Sequence, residues 1–375
     1  MTHCPTIGFY METAFHYDVY KNIIFALQKQ GHSCTLVIAD VCEKAFVLDM
    51  AAQIKTLRHD NLGVMLLSKM RAQRIVLETM VSPYYTPLLN GTARWHVRAM
   101  YGLAKDRWGH AWWNAFYDLI LCYGNHSQEK LNIAGSAVTV GNPRFDDWHN
   151  RGYNRQLVNA LTRNQSKPIV LYAPTFGDLS SIPHWAERLN TLQQSCTLLV
   201  KLHHGTRLNP SEAASLQMME KYFRKSIVNS LSSFALLDAA DRVLTDNSGF
   251  IFDAIHAGKR TVLLEWAGLE DVLQGSETFS DTSSAEQTAR QYIDTASSLT
   301  ELQTLLSADP PSSHPGIEAF RTHYCDRYQD GQAGCRAATA ITQLMATPAN
   351  APKNFYLESL REKLFTSSPG CGSLQ

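Results

Sequence analysis

The sequence lacks the features that mark secreted, membrane-spanning and nucleic-acid-binding proteins. Its eight cysteines include no CxxC pair and no charged-then-apolar leader stands at the N-terminus, which predicts reduced thiols in a cytoplasmic protein rather than a disulfide framework. Lysine plus arginine and aspartate plus glutamate both total 34, so no global positive field attracts nucleic acid. The most apolar stretch, residues 111–123, is too short to cross a hydrocarbon layer of ~30 Å and predicts no transmembrane anchor.

The familiar catalytic signatures are missing too. The GKRT run at Gly258 has Asp253 where a Walker loop needs glycine, and no GxGxxG, GxSxG, HExxH, DxD or zinc-type spacing occurs. The sequence therefore calls for no metal and no cofactor. A bound diphosphate would have to be stabilised by side-chain donors and a helix dipole.

What the chain does contain is enough apolar material for two domains. It has 375 residues, of which 45% are hydrophobic and 18% charged, and a single core rarely grows to that size. Short β-rich runs alternate with helical runs, the pattern of parallel α/β sheets. Strands are predicted at residues 7–10, 33–38, 74–78, 119–123, 137–140, 169–173, 197–202, 242–245 and 261–264. Beyond residue 283 we expect only helices, at 285–296, 299–306, 316–328 and 331–345, and then a mobile tail.

The predicted fold is α/β of the GT-B type, with two Rossmann-like parallel-sheet domains facing across a cleft and a helical C-terminal segment. We expect an acceptor-side domain at 1–155, a nucleotide-donor domain at 156–346 and a helix with a tail at 347–375, with the linker near 145–166. In such folds, ligands bind at the carboxyl ends of the strands.

The strongest site candidate is a strand, turn and helix within residues 236–265. The turn carries Asp246, Asn247, Ser248 and Gly249, and Asp253 follows in the helix. Backbone N–H groups at a helix start, together with the Ser248 hydroxyl, suit a phosphate. The alternative is that Asp246 and Asn247 simply cap the helix.

Two more strand ends supply polar groups at the same predicted sheet edge. Thr175 follows one strand in LYAPTFGD, while Lys201, His203, His204 and Arg207 lie in VKLHHGTR at the end of another. Together with the first turn they predict a diphosphate cradle. The alternative for the histidine pair is a structural or solvated role.

Residues 94–113 interleave arginine and lysine with tryptophan and tyrosine. One interpretation is an acceptor-binding or membrane-surface face with peripheral membrane contact, and the other is an amphipathic helix with snorkelling charges. His96 lies in this stretch. His96 is the candidate base: transfer of a group from a bound diphosphate donor to a hydroxyl requires removal of the hydroxyl proton, and an imidazole has a suitable pKa for that step.

Taken in order, these segments resemble the CDP-glycerol glycerophosphotransferases, the family of teichoic-acid primases and polymerases and their capsule-building relatives. WHVRAMYGLAKD, GNPRFDD, LYAPTFGD, VKLHH, LTDNSGFIFDA and YQDGQAGCR are similar to successive family blocks. Val97, Gly177 and the DNSG turn depart from the family's usual residues.

The resemblance implies a CDP-glycerol donor, a lipid-linked or glycan acceptor of the cell envelope, release of CMP, and a position in the cytoplasm or at the inner membrane face. It makes His96 the base and places His203, Ser248 and Thr175 on the donor phosphates. Two alternatives stay open, a GT-B glycosyltransferase or epimerase-like enzyme using a sugar nucleotide, and a non-catalytic binding subunit of an envelope-polymer assembly. The oligomeric state is not predicted.

Overall fold

The computed structural model describes residues 6–57, 62–163, 165–229, 232–275, 283–308, 314–348, 351 and 354–365. The predicted tail after residue 365 lies outside these residues. Within the described ranges twelve strands are formed: β1 Thr6–Met11, β2 Ser33–Ile38, β3 Leu62–Leu66, β4 Leu77–Ser82, β5 Ala93–Ala99, β6 Leu119–Cys122, β7 Ala137–Thr139, β8 Ile169–Ala173, β9 Thr197–Val200, β10 Arg242–Thr245, β11 Thr261–Leu264 and β12 Asp294–Ala296.

The α-helices of the described residues connect these strands. They are α1 Phe15–Lys29, α2 Lys44–Thr56, α3 Leu67–Ala72, α4 Asp106–Gly109, α5 Asn125–Leu131, α6 Asp146–His149, α7 Arg155–Thr162, α8 Ile182–Leu192, α9 His204–Leu208, α10 Ala213–Phe223, α11 Ser233–Ala239, α12 Phe250–His256, α13 Leu269–Gly275, α14 Ala285–Arg290, α15 Leu299–Ser307, α16 Ile317–Phe320, α17 Ala333–Met345 and α18 Phe355–Phe365. Among the helices so described, none is both long and apolar enough to span a bilayer.

The chain divides into two units, each with its own sheet. Unit 1 comprises Met1–Tyr101, His110–Arg144 and Gln332–Gln375, and unit 2 comprises Gly102–Gly109 and Phe145–Gly331. The sheet of unit 1 has the order β3-β2-β1-β4-β5-β6-β7, and that of unit 2 has the order β12-β11-β10-β8-β9. All strand pairs are parallel, and the first order is that of the Rossmann fold. The α/β prediction with two parallel sheets is confirmed.

The central strands are buried on both faces, as parallel sheets covered by helices require. In unit 1, Phe9 and Leu36 pack under α1 and α17, while Tyr10 and Met80 face α3. In unit 2, Trp185 of α8 is fully buried against one face of the sheet. The cores thus fix the carboxyl ends of both sets of strands.

Three strands were not predicted. β3 is a half-exposed edge strand, and β12 replaces the C-terminal part of the helix expected at 285–296. β5 lies where a basic and aromatic face was expected. That stretch also fails to form one amphipathic helix, because Arg98 lies inside the sheet at 2% exposure.

Arg98 is compatible with the core because its guanidinium has hydrogen-bond and aromatic partners there. It donates to the carbonyl of Pro83 (3.1 Å) and to Asn114 Oδ1 (2.6 Å) and lies over the Trp113 ring at 4.5 Å. A buried cation needs such partners. Nothing in the local pattern of charged and apolar residues reveals them.

The predicted domain boundaries also differ from the observed division. Unit 2 takes over at Phe145 rather than after 155, and Gln332–Gln375 belongs to unit 1 rather than to the donor domain. The physical reason is α17, whose residues Ala337, Ala338 and Ile341 complete the core around α1. The chain therefore returns to its first unit at its end.

Candidate functional site

The carboxyl ends of β8, β9 and β10 are neighbours in unit 2, because β8 pairs with both other strands. The turns that follow them contain Thr175, His203 and Asp246. The sequence-based prediction that three strand ends meet at one edge is thus correct. We call this group of turns the donor edge.

Asp246 organises the donor edge from inside. It is 1% exposed, its Oδ1 accepts from the backbone N–H of Thr175 (2.8 Å), and its Oδ2 accepts from both the N–H (2.8 Å) and the hydroxyl (2.7 Å) of Ser181. Burial raises the pKa of this carboxyl to about 6, and the hydrogen bonds from Ser181 and Thr175 oppose the rise. The carboxylate thus positions two turns, and contact of Asp246 with the donor stays a prediction.

Asn247 has a similar internal role. Its Nδ2 donates to the carbonyl of Leu179 (3.1 Å), and its Oδ1 accepts from Arg290. Arg290 in turn pairs with Glu265 at the end of β11, with Nη1 and Oε1 3.0 Å apart. Arg290 comes from α14, some distance along the chain, and no sequence motif pointed to it.

Ser248 and Gly249 lead into α12. The Ser248 N–H donates to the Asp246 carbonyl (2.8 Å), and its Oγ accepts from the N–H of Phe250 (3.2 Å), so the hydroxyl caps the helix start. The hydroxyl still carries one O–H that can be donated. Asp253 lies half-buried in the first turn of α12. The capping alternative concerned Asp246 and Asn247, whose side-chain hydrogen bonds run to Thr175, Ser181, Leu179 and Arg290 instead; the hydroxyl at the helix start is that of Ser248.

His203 caps α9, and this contact defines its chemistry. Its Nδ1 accepts from the N–H of Gly205 (3.0 Å), and its ring stacks on Phe176 with centroids 4.6 Å apart. Burial, reinforced by His204, Lys105 and Lys201, lowers the pKa of His203 to about 3. A neutral imidazole that accepts at Nδ1 carries its proton on Nε2. His203 is thus a neutral hydrogen-bond donor rather than a base.

Two lysines act on this imidazole. Lys105 and Lys201 lower the pKa of His203 through their charges, and Arg207 lies in α9. Lys105 adopts a left-handed backbone with φ of 61°, which is uncommon outside glycine. An anion placed here meets a positive local field although the whole chain has no net charge.

Glu286 holds the Lys105 segment in place. Its Oε1 accepts from the backbone N–H groups of Lys105 and of Asp106, the latter at 3.3 Å. Glu286 is 2% exposed, and burial, together with the nearby Asp106 charge, raises its pKa to about 7. Glu286 was not predicted, since its partner lies about 180 residues earlier.

His96, the predicted base, lies in the middle of β5 rather than at its end. It is 8% exposed, and its ring lies against Phe116 with centroids 4.3 Å apart. Burial and the charge of Arg361 lower the pKa of His96 to about 4. His96 as the base stays a prediction, and this placement disfavours it.

A different polar group lies at the carboxyl edge of the sheet in unit 1. Glu12 follows β1, and its carboxylate accepts from the hydroxyl of Tyr10 and from that of Tyr84, which follows β4. His16 receives the N–H of Glu12 at Nδ1 (3.2 Å), and its ring contacts those of Tyr84 (5.8 Å) and Tyr101 (6.1 Å). No sequence motif points to this group, although Glu12 lies two residues beyond the first predicted strand and directly after β1.

The aromatic residues of the 94–113 stretch do not share one face. Trp113 is 6% exposed, whereas Trp112 is 56% exposed and stacks on Phe365 of α18 at 5.8 Å. Membrane contact through this stretch stays a prediction.

Comparison with known proteins gives the class. Residues 126–343 match the model of the CDP-Glycerol:Poly(glycerophosphate) glycerophosphotransferase family. The chain therefore belongs to this family. The matched range begins after β5, so it includes the donor edge and excludes the WHVRAMY segment that contains His96.

Individual relatives agree with this class. The chain is 26% identical over 214 residues to the teichoic acid glycerol-phosphate primase of Bacillus subtilis (strain 168), a match that covers 56% of this chain and 52% of the primase. The chain thus spans about half the length of this curated relative.

Solved structures share the fold. The wall teichoic acid polymerase TagF superposes with a TM-score of 0.61 at 14% identity, covering 91% of this chain and 89% of that chain. A UDP-N-acetylglucosamine 2-epimerase superposes with a TM-score of 0.53 at 14% identity, covering 95% of this chain and 100% of that chain.

Proposed function

We propose that this chain transfers glycerol phosphate from CDP-glycerol to a hydroxyl of a teichoic-acid-like or capsular acceptor and releases CMP. Membership in the glycerophosphotransferase family supports this, as does the name of the B. subtilis relative. The observation that carries the proposal is the donor edge, where a neutral imidazole N–H and nearby cations lie beside turns fixed by Asp246. Such a set suits a diphosphate.

In the proposed reaction, the acceptor oxygen attacks the β-phosphorus of the donor in line with the bridging oxygen. The new bond joins the acceptor oxygen to phosphorus, and the bond that breaks lies between this phosphorus and the bridging oxygen, which leaves with CMP. His203 Nε2–H and the charges of Lys105 and Lys201 would stabilise the phosphate of the departing CMP. The hydroxyl of Ser248, in the turn after β10, would donate to a phosphate of the donor.

The proton of the acceptor hydroxyl needs a base. We assign this role to Glu12, whose carboxylate lies at a strand end and is oriented by the hydroxyls of Tyr10 and Tyr84. His16 is less suited, because its Nδ1 lone pair already accepts from the Glu12 N–H. His96 is enclosed by Phe116 within the sheet layer.

Two isosteric or minimal variants separate these assignments. With labelled CDP-glycerol and a teichoic-acid-like acceptor, we expect Glu12→Gln to lower kcat by about 100-fold, in the range typical for loss of a general base, with unchanged donor affinity. His96→Ala should retain kcat within about threefold if it is only a packing residue. A large kcat loss in His96→Ala with normal Glu12→Gln turnover would restore the sequence-based assignment.

The second candidate is a sugar-nucleotide enzyme, favoured by the shared fold of the UDP-N-acetylglucosamine 2-epimerase. A donor panel distinguishes the two. We expect turnover with CDP-glycerol and none with UDP-sugars. Turnover with a UDP-sugar alone would replace the proposed function.

A further inference from the structure

We propose that His149, His256 and Asp326 of unit 2 form a binding site for a divalent transition-metal ion, with Zn²⁺ the best match to their chemistry. One ligand atom from each of the three residues lies within 4.8 Å of the other two. His256 and Asp326 are buried, at 5% and 1% exposure, and His149 is half-buried. The cluster is separate from the residues assigned to the donor.

The spacing of the two imidazoles fits shared coordination. His149 Nε2 and His256 Nε2 are 3.2 Å apart. Two nitrogens that bind one tetrahedral zinc ion at about 2.0–2.1 Å are separated by roughly 3.3 Å. The same distance also suits a hydrogen bond between two neutral rings, so the distance alone does not distinguish the two arrangements.

The carboxylate of Asp326 is held in a fixed orientation. Asp326 Oδ1 accepts from the backbone N–H groups of Tyr328 (2.8 Å) and Gln329 (3.0 Å), which fixes the plane of the carboxyl group. A hydrogen bond between two neutral histidines needs no nearby carboxylate, whereas a bound divalent cation is stabilised by one. Hydrogen-bonded ligating carboxylates are a regular feature of metal sites.

The imidazole of His256 is held in a similar way. It stacks on Phe145 with centroids 3.7 Å apart and planes inclined by 14°. Stacking fixes the plane of this ring, and in this plane its Nε2 lies 3.2 Å from His149 Nε2. Both buried ligands are pre-oriented, which lowers the entropy that binding must overcome.

Two imidazoles and one carboxylate suit zinc and its neighbours in the first transition series, while Mg²⁺ and Ca²⁺ favour oxygen ligands alone. The partial exposure of His149 leaves room for water as a fourth ligand. The ion would join α6, the end of α12 and the turn after the π-helical segment Arg321–Cys325. Because these segments are far apart in the chain, bound metal should stabilise the folded state.

The test uses the full chain, stripped of metal with a chelator and titrated with Zn²⁺ against a competing chromophoric chelator. We compare wild type with His149→Ala, Asp326→Asn and, as a control, His314→Ala, which removes an exposed histidine of the same unit. Asp326→Asn keeps an oxygen that accepts from Tyr328 and Gln329, so its fold is preserved. We expect at least tenfold weaker Zn²⁺ binding in both cluster variants and unchanged binding in the control.

Co²⁺ binding can be measured on the wild type, so this test does not depend on the folding of any variant. A bound tetrahedral Co²⁺ ion absorbs strongly in the visible range, and we expect this absorption in wild type and its loss in Asp326→Asn. Equal Zn²⁺ affinity in wild type, His149→Ala and Asp326→Asn would overturn the proposal, as would the absence of tetrahedral Co²⁺ absorption. Neither measurement involves CDP-glycerol, so the outcome is independent of the proposed function.

Discussion

At the scale of single residues, His203 shows how one backbone contact sets a side chain's chemistry. Its Nδ1 is occupied by the N–H of Gly205, and its low pKa of about 3 keeps the ring neutral at physiological pH. The sequence places a histidine at this strand end but does not reveal its tautomer. The sequence predicts a histidine at this position, and only the structure shows that its Nε2–H is available as a hydrogen-bond donor.

We expect His203→Ala to weaken CDP-glycerol binding by about tenfold or more, since a hydrogen bond to a charged group contributes about 1.5–3 kcal/mol. Because the ring is neutral, the wild-type advantage over the variant should be constant between about pH 5.5 and 8.5. Isothermal titration with His314→Ala as a control measures this. An advantage that disappears as the pH rises through about 6.5 would show that the imidazolium binds instead.

Glu286 gives a pH prediction for stability. Its folded-state pKa of about 7 lies above the ordinary value of 4.5, so its contribution to stability is present below about pH 4.5 and is lost as the pH rises through 7. Glu286→Gln keeps an oxygen that can accept from Lys105 and Asp106 and removes the charge. We expect the variant to match wild type near pH 4.5 and to exceed it at pH 8 by roughly 1–3 kcal/mol.

Urea unfolding at several pH values measures this difference. A variant that is less stable than wild type at pH 8 would show that the Glu286 carboxylate is stabilised in the fold rather than penalised by burial. The donor-affinity assay provides a second readout, because Glu286 positions the segment that carries Lys105.

At the scale of elements, the close approach of α17 to α1 depends on one glycine. A Cβ added at Gly334 would lie 2.7 Å from the backbone carbonyl oxygen of Asn22, and backbone atoms cannot move aside as a flexible side chain can. Asn22 also donates through Nδ2 to the Pro143 carbonyl (2.9 Å), which holds this part of α1.

We expect Gly334→Ala to destabilise the protein by about 1–3 kcal/mol, the usual range for overpacking. Gly275→Ala is the matched control, because Gly275 lies in α13 with nothing within 4 Å of an added Cβ. The control should be neutral or slightly stabilising. Thermal unfolding of both variants suffices, and equal midpoints would show that α17 can shift without cost.

Strands were predicted best where both of their faces are buried by apolar residues. The apolar runs of β1, β2, β8, β10 and β11 were found because both faces of these strands are buried. β5 was missed because Arg98, a charged residue, is satisfied by Pro83 and Asn114. An arginine in a short apolar run predicts an exposed position, so the sequence of β5 predicts a surface segment instead of an internal strand.

At the scale of the whole molecule, the chain leaves unit 1 and returns to it. α17 supplies Ala337, Ala338 and Ile341 to the core of unit 1, and α18 is attached by Arg361, which donates to the carbonyls of Ala115 and Tyr117 (both 2.8 Å) and pairs with Asp118 (2.8 Å). The two sheets were predictable from alternation of strands and helices. The packing of α17 on unit 1 was not predictable, because helical periodicity identifies a helix and not the surface that the helix covers.

We expect a chain that ends at residue 331 to lose the cooperative folding of unit 1, since α1 would expose apolar side chains that α17 otherwise covers. A chain that ends at residue 346 keeps α17 and should retain a folded unit 1 with lower stability, because it loses the α18 contacts and the hydrogen bond from Arg94 to the Thr347 carbonyl. The two shortened chains are compared by circular dichroism, by binding of a hydrophobic dye and by hydrogen exchange of α1. Equal protection of α1 in both chains would contradict the covering role of α17.

The return of α17 has a consequence for synthesis on the ribosome. α1 ends at residue 29 and α17 begins at residue 333, so α1 waits for its cover while roughly 300 residues are translated, about 15–60 s at ordinary elongation rates. Throughout that interval the nascent chain presents an uncovered apolar stripe, and by its end every segment of unit 2 has been translated. The part of the protein encoded in the middle can therefore finish folding before the part encoded first.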